Sequence, residues 1–437
     1  MPFASLGLSP ALARAATELG FTAPTPIQTE AIPAVLRGAD VWASAQTGSG
    51  KTAAFALPAL QRHQDAALSQ RPGGGARRVH TLVIAPTREL AAQVGEVLRS
   101  LGQHLASAST SVPKVAVVFG GVSINPQMMA LRGGADIVVA TPGRLLDLVE
   151  HNALKLASVQ LLVLDEAARL LDLGFADELN RVLALLPTQR QTLFFSATFP
   201  DSVEALAASL LREPVRIEVA PTEASQGSAT ILQRAIAVDD KRRTQLLLQL
   251  IKDEGWERVL VFVATKYTAE HVAEKLYRAK VFATPFHGDL GQGARTQVLD
   301  EFKADRWQVV VTTDLAARGI DIAQLPVVVN YDLPRSAVDY IHRIGRTGRA
   351  GESGLAVSLV TPASEAHWHL IEKRQGLSLP LEHIAGFEPL EVAPPAPPAQ
   401  PGSGNGGVKG VRPSKKDKLR AAAALAAKAA HASGAPE

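Results

Sequence analysis

A glycine-rich run near the N-terminus has the residue types that bind phosphate. It reads Ala45-Gln46-Thr47-Gly48-Ser49-Gly50-Lys51-Thr52. Its small residues let consecutive backbone N–H groups turn inward at a helix start, where the helix dipole also favours anions. Lys51 adds a positive charge and Thr52 a hydroxyl for Mg²⁺, so the run predicts a site for the phosphates of a nucleoside triphosphate.

An acidic pair further along the chain has the chemistry needed to hydrolyse such a triphosphate. Asp165 and Glu166 follow the apolar run 159–164, which is typical of a parallel strand buried on both faces. Asp165 can hold Mg²⁺, partly through water, and Glu166 can take a proton from the attacking water. Acidic pairs are common after strands, but together with the phosphate-binding run this one predicts a triphosphate hydrolase.

Two sets of strand patterns position these residues. The expected strands are 40–44, 81–85, 114–119, 136–140, 160–164 and 192–195 in the first set, and 259–263, 282–285, 308–312, 327–331 and 356–360 in the second. Helical patterns separate most of them, and strands that alternate with helices imply right-handed crossovers and parallel sheets. The sequence therefore predicts two α/β domains.

Composition and linker patterns indicate the domain boundaries and exclude several classes of protein. We place the first domain at 1–218, a polar linker at 219–228, the second domain at 229–385 and a disordered Pro/Ala/Gly-rich basic tail at 386–437. The sequence has no apolar stretch of membrane-spanning length, no signal-peptide pattern and no cysteine for disulfides or thiolate metal sites. We expect a soluble, cytoplasmic monomer. Because its net charge is only +3, any nucleic-acid surface must be local.

Short motifs follow many of the expected strands, and their order is specific. The first domain contains Pro24-Thr25-Pro26-Ile27-Gln28, Ala85-Pro86-Thr87-Arg88-Glu89-Leu90, Gly120-Gly121, Thr141-Pro142-Gly143-Arg144 and Ser196-Ala197-Thr198. The second contains His287-Gly288-Asp289, Thr312-Thr313-Asp314, Ala317-Arg318-Gly319-Ile320-Asp321 and Tyr340-Ile341-His342-Arg343-Ile344-Gly345-Arg346-Thr347-Gly348-Arg349. In this order the motifs resemble the DEAD-box family of ATP-dependent RNA helicases, from Phe3 to about Val360.

The resemblance implies the fold, the ligands and the activity. The fold would be two tandem RecA-like domains, each a mostly parallel sheet flanked by helices. The activity would be ATP hydrolysis coupled to closure of the two domains on RNA and to local duplex unwinding, with Mg²⁺ as the metal. RNA would be bound through its backbone, with little sequence specificity.

The resemblance also assigns roles to individual residues. Nucleotide contacts are implied for Phe21, Gln28, Thr47, Gly48, Ser49, Gly50, Lys51, Thr52, Gly319 and Asp321. RNA contacts are implied for Pro86, Thr87, Arg88, Gly121, Thr141, Gly143, Arg144, Arg295 and Thr313. Lys51, Asp165 and Glu166 would be catalytic, and Thr52 and Asp165 would hold Mg²⁺. Arg346 and Arg349 are arginine-finger candidates, which stabilise charge on the γ-phosphoryl group only when the domains close.

One residue departs from the family pattern. The acidic motif reads Asp165-Glu166-Ala167-Ala168, with alanine where the family has its final aspartate. That aspartate is implied to accept hydrogen bonds from Ser196 and Thr198 and to reach toward the motif that contains His342. Each lost charge-assisted bond is worth about 1.5–3 kcal/mol. Either the variant is tolerated, or it weakens the coupling of hydrolysis to unwinding, by nature or by deliberate substitution.

Two other functions remain open from the sequence. The first is an ATP-gated RNA clamp or remodeller whose unwinding is impaired by Ala168. The second is a DNA helicase or translocase with the same two-domain core, although the adenine-binding pattern around Gln28 and the short second domain favour the RNA enzyme. The basic segment 409–420 of the tail either adds salt-sensitive RNA affinity or serves only solubility. The sequence names no particular RNA, pathway or protein partner.

Overall fold

The computed structural model describes residues 2–45, 48–69, 77–106, 111–219, 231–317, 325–348 and 353–391. These residues form two lobes, each built on a seven-stranded sheet. All the strand pairings of the two sheets are parallel. Within the same residues, every helix is too short or too polar to span a bilayer.

The first lobe follows a short 3₁₀ turn at Phe3–Leu6. Its strands are β1 (Val41–Ser44), β2 (Thr81–Ile84), β3 (Val115–Val118), β4 (Ile137–Ala140), β5 (Leu161–Leu164), β6 (Gln191–Ser196) and β7 (Val215–Glu218). Its helices are α1 (Pro10–Glu18), α2 (Pro26–Leu36), α3 (Lys51–Ser69), α4 (Arg88–Gln103), α5 (Ile124–Ala130), α6 (Pro142–Glu150), α7 (Ala167–Asp172), α8 (Ala176–Ala184) and α9 (Asp201–Leu210). The strand order is β3-β4-β2-β5-β6-β1-β7.

The second lobe repeats this architecture. Its strands are β8 (Ile231–Ala237), β9 (Val259–Val263), β10 (Ala283–Phe286), β11 (Val309–Thr313), β12 (Val327–Asn330), β13 (Gly354–Val360) and β14 (Leu381–His383). After a 3₁₀ turn at Asp240–Arg242, its helices are α10 (Arg243–Asp253), α11 (Lys266–Arg278), α12 (Gln292–Lys303), α13 (Asp314–Ala317), α14 (Ala337–Ile344) and α15 (Glu365–Gln375). The strand order is β10-β11-β9-β12-β13-β8-β14.

Apolar side chains cover both faces of the first sheet. On β2, Leu82 and Val83 belong to different core clusters, because successive side chains of a strand point to opposite faces. Val138 packs in the cluster of Leu82, and Val139 in that of Val83. Complete burial of one such side chain contributes about 1.5–3 kcal/mol. Both layers of helices therefore stabilise the sheet that carries the functional loops.

Strand order decides which loops meet. In a parallel sheet the segments that follow neighbouring strands lie side by side at the carboxyl edge. Because β5, β6 and β1 are neighbours, the acidic motif, the Ser196 motif and the phosphate-binding run share that edge. β3, β4 and β2 are also neighbours, so the three candidate RNA-binding motifs of the first lobe lie together beside them.

The sequence patterns predict most strands but not β7, β8 and β14. β8 contains Gln233 and Arg234, whose polarity hides the strand signal. Their side chains find partners far away in the sequence: the Tyr340 hydroxyl donates to Gln233 Oε1 at 2.8 Å, and Arg234 donates to Glu382 at 2.7 Å. Only the folded chain brings these groups together, which is why the local pattern fails here.

The second lobe includes a short extension beyond residue 385. Phe387 is 9% exposed and packs in the core of this lobe, with the Arg242 guanidinium 4.7 Å above its ring. The Asp239 carboxylate accepts hydrogen bonds from the backbone N–H groups of Leu390 at 3.0 Å and Glu391 at 2.9 Å. These contacts attach residues 387–391 to the second lobe, and the domain end at 385 stays a prediction. Most of the expected linker and the rest of the tail lie outside the described residues.

Candidate functional site

The phosphate-binding run follows β1 and opens α3, the setting that its sequence predicts. Gly48 and Gly50 have φ angles of 83° and 95°, which glycine adopts without strain. A Cβ at Gly50 would lie 2.3 Å from Gln28 Nε2, so the loop needs glycine there for space as well. The preceding residues Gln46 and Thr47 lie outside the described part of the chain, so the predicted role of Thr47 stays a prediction.

Lys51 connects the loop to the acidic pair at the end of β5. Its Nζ donates hydrogen bonds to the Ala45 carbonyl at 2.9 Å and to Glu166 Oε1 at 2.8 Å. The side chains of Lys51 and Glu166 are 7% and 12% exposed, so the ion pair is shielded from water. The structure thus brings together two residues that the sequence assigns to phosphate binding and proton transfer.

The two carboxylates of the acidic pair differ in protonation. Burial raises the pKa of Asp165 to about 7, and the charge of Glu166 adds to this shift. Burial would also raise the pKa of Glu166, but its ion pair with Lys51 outweighs burial and holds this pKa below its usual range. Glu166 is therefore the ionised member of the pair, which is the state that a general base requires. Its φ of 52° is strained for a residue with a side chain.

Two buried side-chain atoms beside the loop fit a magnesium nucleotide. Ser49 Oγ and Asp165 Oδ1 have no hydrogen-bond partner among the described residues. Since buried polar atoms are nearly always paired, such atoms indicate a ligand. A hydroxyl suits a phosphate oxygen, and carboxylate and hydroxyl oxygens such as those of Asp165 and Thr52 suit Mg²⁺ or its bound water. Thr52 is the second residue of α3 and is partly buried.

Gln28 holds α2 against the phosphate-binding loop. Its side-chain oxygen accepts a hydrogen bond from the Thr25 N–H at 3.0 Å, and its Nε2 donates to the Gly50 carbonyl at 3.1 Å. Gln28 is 1% exposed, and Phe21 packs, partly buried, against the core of the first lobe. In this conformation the Gln28 amide contacts protein atoms, so its contact with adenine and the stacking of Phe21 stay predictions.

The candidate RNA-binding threonines of the first lobe stand at helix starts. Thr87 and Thr141 immediately precede α4 and α6, and Thr87 Oγ1 accepts a hydrogen bond from the Leu90 N–H at 3.3 Å. Pro86 precedes the first of these threonines and is buried, whereas Gly143 lies in the first turn of α6. Helix starts present free N–H groups, which suit phosphate oxygens.

Two arginines lie beside these helix starts. Arg144 is 8% exposed and donates to the Val122 carbonyl at 2.7 Å, while its Nη1 has no hydrogen-bond partner among the described residues. Gly121 has a φ of 76°, and a Cβ there would lie 2.2 Å from the guanidinium of Arg88. The glycine therefore leaves room for the Arg88 guanidinium in this conformation.

Contacts between the lobes involve the same motifs. Arg88 Nη1 donates to Gln292 Oε1 across the cleft at 3.3 Å, and Arg295 pairs with Glu89 at 2.7 Å. Arg295 is 7% exposed, and its described contacts are all to protein atoms, so an RNA contact for it stays a prediction. Sequence reasoning gave Glu89 no role. The sequence signal for a role of Glu89 was its position next to Arg88. Only the fold shows that its partner is Arg295.

A cavity of about 670 Å³ lies between the acidic motif and the second lobe. Both lobes line it, and its wall includes Glu166, Ala168, Thr198, His342 and Arg346. The structure thus places Arg346, one arginine-finger candidate, in the same cavity wall as Glu166. Thr313 ends β11 of the second lobe and is partly buried. The other second-lobe candidates, Arg349, Gly319 and Asp321, lie outside the described residues.

Arg343 and His342 illustrate two different roles on α14. Arg343 is 3% exposed and is held inside its own lobe, since it pairs with Asp314 at 2.6 Å and donates to Asn330 Oδ1 at 3.0 Å. His342 instead lies exposed at the cavity. Desolvation by the surrounding protein lowers the pKa of His342, and the negative charge of Glu166 opposes that shift. The first residue is structural, whereas the second faces the acidic motif.

The backbone of Ala168 takes part in a short chain of hydrogen bonds inside the first lobe. The Ala168 backbone N–H donates to Ser196 Oγ at 3.3 Å, and Ser196 Oγ donates to the Thr198 carbonyl at 2.8 Å. Ser196 is fully buried, so these bonds satisfy a hydroxyl that would otherwise be costly. The Ser196 hydroxyl therefore has its partners within the first lobe.

Comparison with known proteins gives the family. A family model described as DEAD/DEAH box helicase matches residues 25–206, and one described as Helicase conserved C-terminal domain matches residues 242–351. The two matches cover most of both lobes. They include the phosphate-binding run and the acidic motif in the first lobe and the arginine-rich motif in the second.

Relatives and solved structures agree with the family models. The ATP-dependent rRNA helicase RRP3 of Pyricularia oryzae is 42% identical over 382 residues, which cover 87% of this chain and 68% of the relative. The DEAD-box ATP-dependent RNA helicase RhpA of Helicobacter pylori is 38% identical over 360 residues, which cover 82% and 71%. The structure of S. cerevisiae Dbp5 bound to RNA and ADP BeF3 matches with a TM-score of 0.73 and 31% identity, over 87% of this chain and 95% of that one. At this level of identity over most of both chains, this protein belongs to the DEAD-box family of helicases.

Proposed function

We propose that this protein is an ATP-dependent RNA helicase, which hydrolyses ATP between its lobes and uses the resulting closure and opening to separate short RNA duplexes. The observation that carries the proposal is the shared cavity, where Glu166 of the first lobe faces His342 and Arg346 of the second. The relatives are named as RNA helicases, and one solved relative binds RNA together with ADP BeF3. These names favour the helicase over a clamp without unwinding.

In the first lobe, the phosphates of a bound nucleotide would compete with Glu166 for Lys51. Lys51 is bonded to Glu166 at 2.8 Å, so a triphosphate in the loop competes with Glu166 for the lysine. The exchange removes the contact that holds the pKa of Glu166 down, so the freed, buried carboxylate becomes a stronger acceptor for a proton of the attacking water. Asp165 and Thr52 would hold Mg²⁺, and the bound ion would neutralise part of the phosphate charge.

The second lobe completes the site only when the lobes are together. Arg346 lines the cavity that contains Glu166, and a cation there can stabilise charge that develops on the γ-phosphoryl group. A ligand that contacts both lobes favours closure by its differential affinity for the closed state. Hydrolysis removes part of that ligand, so closure becomes reversible.

RNA would bind along the carboxyl edges of β2, β3 and β4. The threonines and helix-start N–H groups there contact phosphates without reading bases, and Arg88 and Arg144 add positive charge. Because Arg88 also contacts Gln292 of the second lobe at 3.3 Å, RNA that orders Arg88 also influences lobe closure. This contact links the RNA surface to the nucleotide cleft.

The test is a set of three measurements on the full chain. We expect ATP binding in the presence of Mg²⁺, ATP hydrolysis that RNA stimulates, and separation of a short RNA duplex that requires ATP. DNA of the same sequence serves as the control, since discrimination would depend on the 2′-OH. ATP-dependent RNA retention without strand separation would indicate the clamp, and equal stimulation by DNA would contradict RNA specificity.

A further inference from the structure

One aromatic side chain of the second lobe is largely exposed at the carboxyl edge of the sheet. Tyr267 is the second residue of α11, which begins shortly after β9, and it is 72% exposed. The buried face of α11 is formed by other residues, namely Ala269, Val272, Ala273 and Leu276. Tyr267 therefore lies outside the core of its lobe, and its ring is available to a ligand.

The ring of Tyr267 packs against a second ring on the same helix. Tyr267 and His271 are about one helical turn apart, and their rings are nearly parallel, with an interplanar angle of 7° and centroids 5.9 Å apart. Thr265 Oγ1 accepts a hydrogen bond from the Thr268 N–H at 3.1 Å, which caps the helix at this end. A ring oriented in this way loses little conformational freedom when a further planar group stacks on it.

The first turn of α11 lies against the segment 287–289, which follows β10. Lys266, next to Tyr267 in the chain, pairs with Asp289. One turn further along the helix, Glu270 Oε1 lies 3.2 Å from His287 Nε2. These two contacts flank Tyr267 and place it beside the segment that leads into α12.

That segment connects Tyr267 to the candidate RNA surface. Gln292, the first residue of α12, accepts a hydrogen bond from Arg88 of the first lobe at 3.3 Å. On the other side, Thr313 at the end of β11 is in register with Val263 at the end of β9, the strand that α11 follows. Arg88 and Thr313 are both candidate RNA contacts, so the exposed ring lies at the border of the same surface.

The chemistry of an exposed tyrosine at this border suits an unpaired base. Phosphates are bound by charges and N–H groups, whereas a phenol ring offers a flat apolar face on which a base can stack. A purine has a larger face than a pyrimidine and gains more from such a contact. Inside a duplex the neighbouring bases cover both faces of a base, so the ring can be used only by a separated strand.

We propose that Tyr267 forms a base-stacking site for single-stranded RNA and takes an unpaired purine. The proposal rests on the proposed function, because it adds one base contact to a surface that otherwise follows the RNA backbone. Since the ring contacts only unpaired bases, its differential affinity favours the separated strand over the duplex. The site thus distinguishes the product of unwinding from its substrate.

Binding is measured by fluorescence anisotropy with the full chain, a non-hydrolysable ATP analogue and a short labelled oligoadenylate. We expect Tyr267→Ala to weaken binding about tenfold, or about 1.4 kcal/mol, which is within the range for one base stacked on an aromatic ring. Tyr267→Phe keeps the ring and should bind like the parent protein. Tyr277→Ala is the matched control, because Tyr277 is 56% exposed near the other end of the same helix, and it should also bind like the parent.

A ribose-phosphate strand of the same length without bases separates stacking from backbone contacts. The parent and Tyr267→Ala should bind this abasic strand equally. The salt dependence of oligoadenylate binding should also be equal in both, since no phosphate contact is removed. A single 2-aminopurine, moved along an oligouridylate, reports the contact directly. At one position we expect the parent and Tyr267→Phe to quench its fluorescence, and Tyr267→Ala to leave it bright.

Equal affinity of the parent and Tyr267→Ala for oligoadenylate would overturn the stacking proposal. An equal loss on the abasic strand would overturn it too, because the ring would then act on the backbone. In both cases, RNA-stimulated ATP hydrolysis by the parent would leave the helicase function in place. If Tyr267→Ala loses oligoadenylate selectively but RNA never stimulates hydrolysis by the parent, the stacking site stands and the proposed function is wrong.

Discussion

Arg295 Nη2 of the second lobe lies 2.7 Å from Glu89 Oε1 of the first. Their side chains are 8% and 10% exposed, so water screens this contact little. Arg295 also donates to the His287 carbonyl at 3.2 Å within its own lobe, which orients the guanidinium toward the cleft. The ion pair therefore fixes one relative position of the lobes at a point close to the candidate RNA surface.

Replacing Glu89 by alanine should favour the open arrangement of the lobes. Removal of one partner of a buried ion pair costs on the order of 3–5 kcal/mol, because the other charge is left unpaired. The chain has no cysteine, so dyes can be attached to introduced cysteines at the exposed Met129 and Tyr277, one on each lobe. We expect lower energy transfer between the dyes in Glu89→Ala than in the parent protein.

The control for this measurement is an exposed ion pair of the second lobe. Lys266 pairs with Asp289, and both side chains are well exposed at 61% and 60%. Lys266→Ala should leave energy transfer unchanged, since exposed pairs contribute little. The double variant Glu89→Ala/Arg295→Ala should lose less than the sum of the single losses. Strict additivity would show that the pair does not couple the lobes.

Replacing Gly50 by alanine should weaken ATP binding through a clash as well as through strain. Gly50 has a φ of 95°, and a new Cβ would lie 2.3 Å from Gln28 Nε2. Gly38 is the matched control, because its φ is 83° but a Cβ there meets no atom within 4 Å. At either position, an alanine in the left-handed conformation costs about 1–3 kcal/mol of stability. Isothermal titration with an ATP analogue should therefore show reduced affinity for Gly50→Ala and unchanged affinity for Gly38→Ala.

Replacing Lys51 by alanine should remove most hydrolysis. The variant loses both a phosphate-binding cation and the partner of Glu166, so the buried carboxylate becomes easier to protonate. Loss of one preorganised donor at a reacting phosphate or acyl group lowers kcat by about 10²–10³-fold. Steady-state ATP hydrolysis with saturating RNA measures the effect. A loss below tenfold, about 1.4 kcal/mol, would contradict the assigned role.

Restoring aspartate at position 168 should strengthen the link between hydrolysis and unwinding. The new carboxylate can accept from donors on both lobes, as Thr198 and His342 line the same cavity. We expect RNA-stimulated hydrolysis and duplex separation to rise together by about tenfold for one new charge-assisted bond of 1.5 kcal/mol. Ala184→Asp, which adds the same charge at an exposed position, should change neither rate. If Ala168→Asp also changes neither, the residue is a tolerated variant.

The contact of Asp239 with the extension at Leu390 should depend on pH. Hydrogen bonds from the Leu390 and Glu391 N–H groups lower the pKa of the Asp239 carboxyl. A carboxyl whose folded pKa is lowered stabilises the fold above its unfolded pKa of about 3.9, and this contribution is lost as the pH falls through the folded value. Amide exchange protection at Leu390 should thus be constant near neutral pH and fall below about pH 4. Asp239→Ala should lack the protection at every pH.

Much of the fold and site follows from local patterns in the sequence. The apolar runs predict eleven of the strands because buried parallel strands need unbroken hydrophobic faces, and the run around Lys51 predicts its loop because glycine alone tolerates those φ angles. The acidic pair at Asp165 is predictable for the same reason, since it directly follows one such run. These features depend on residues that are neighbours in the chain.

The remaining features depend on residues that are distant in the chain, and only the tertiary structure decided them. No local pattern pairs Glu89 with Arg295, or bonds Lys51 to Glu166, because each contact requires separate strands to end at the same place. The same holds for Ala168: the family resemblance predicts a carboxylate at this position, but the fold decides which partners Ser196 has and that Ala168 lines a cavity shared with the second lobe. Sequence thus determined which chemical groups are present, and packing determined which of them meet.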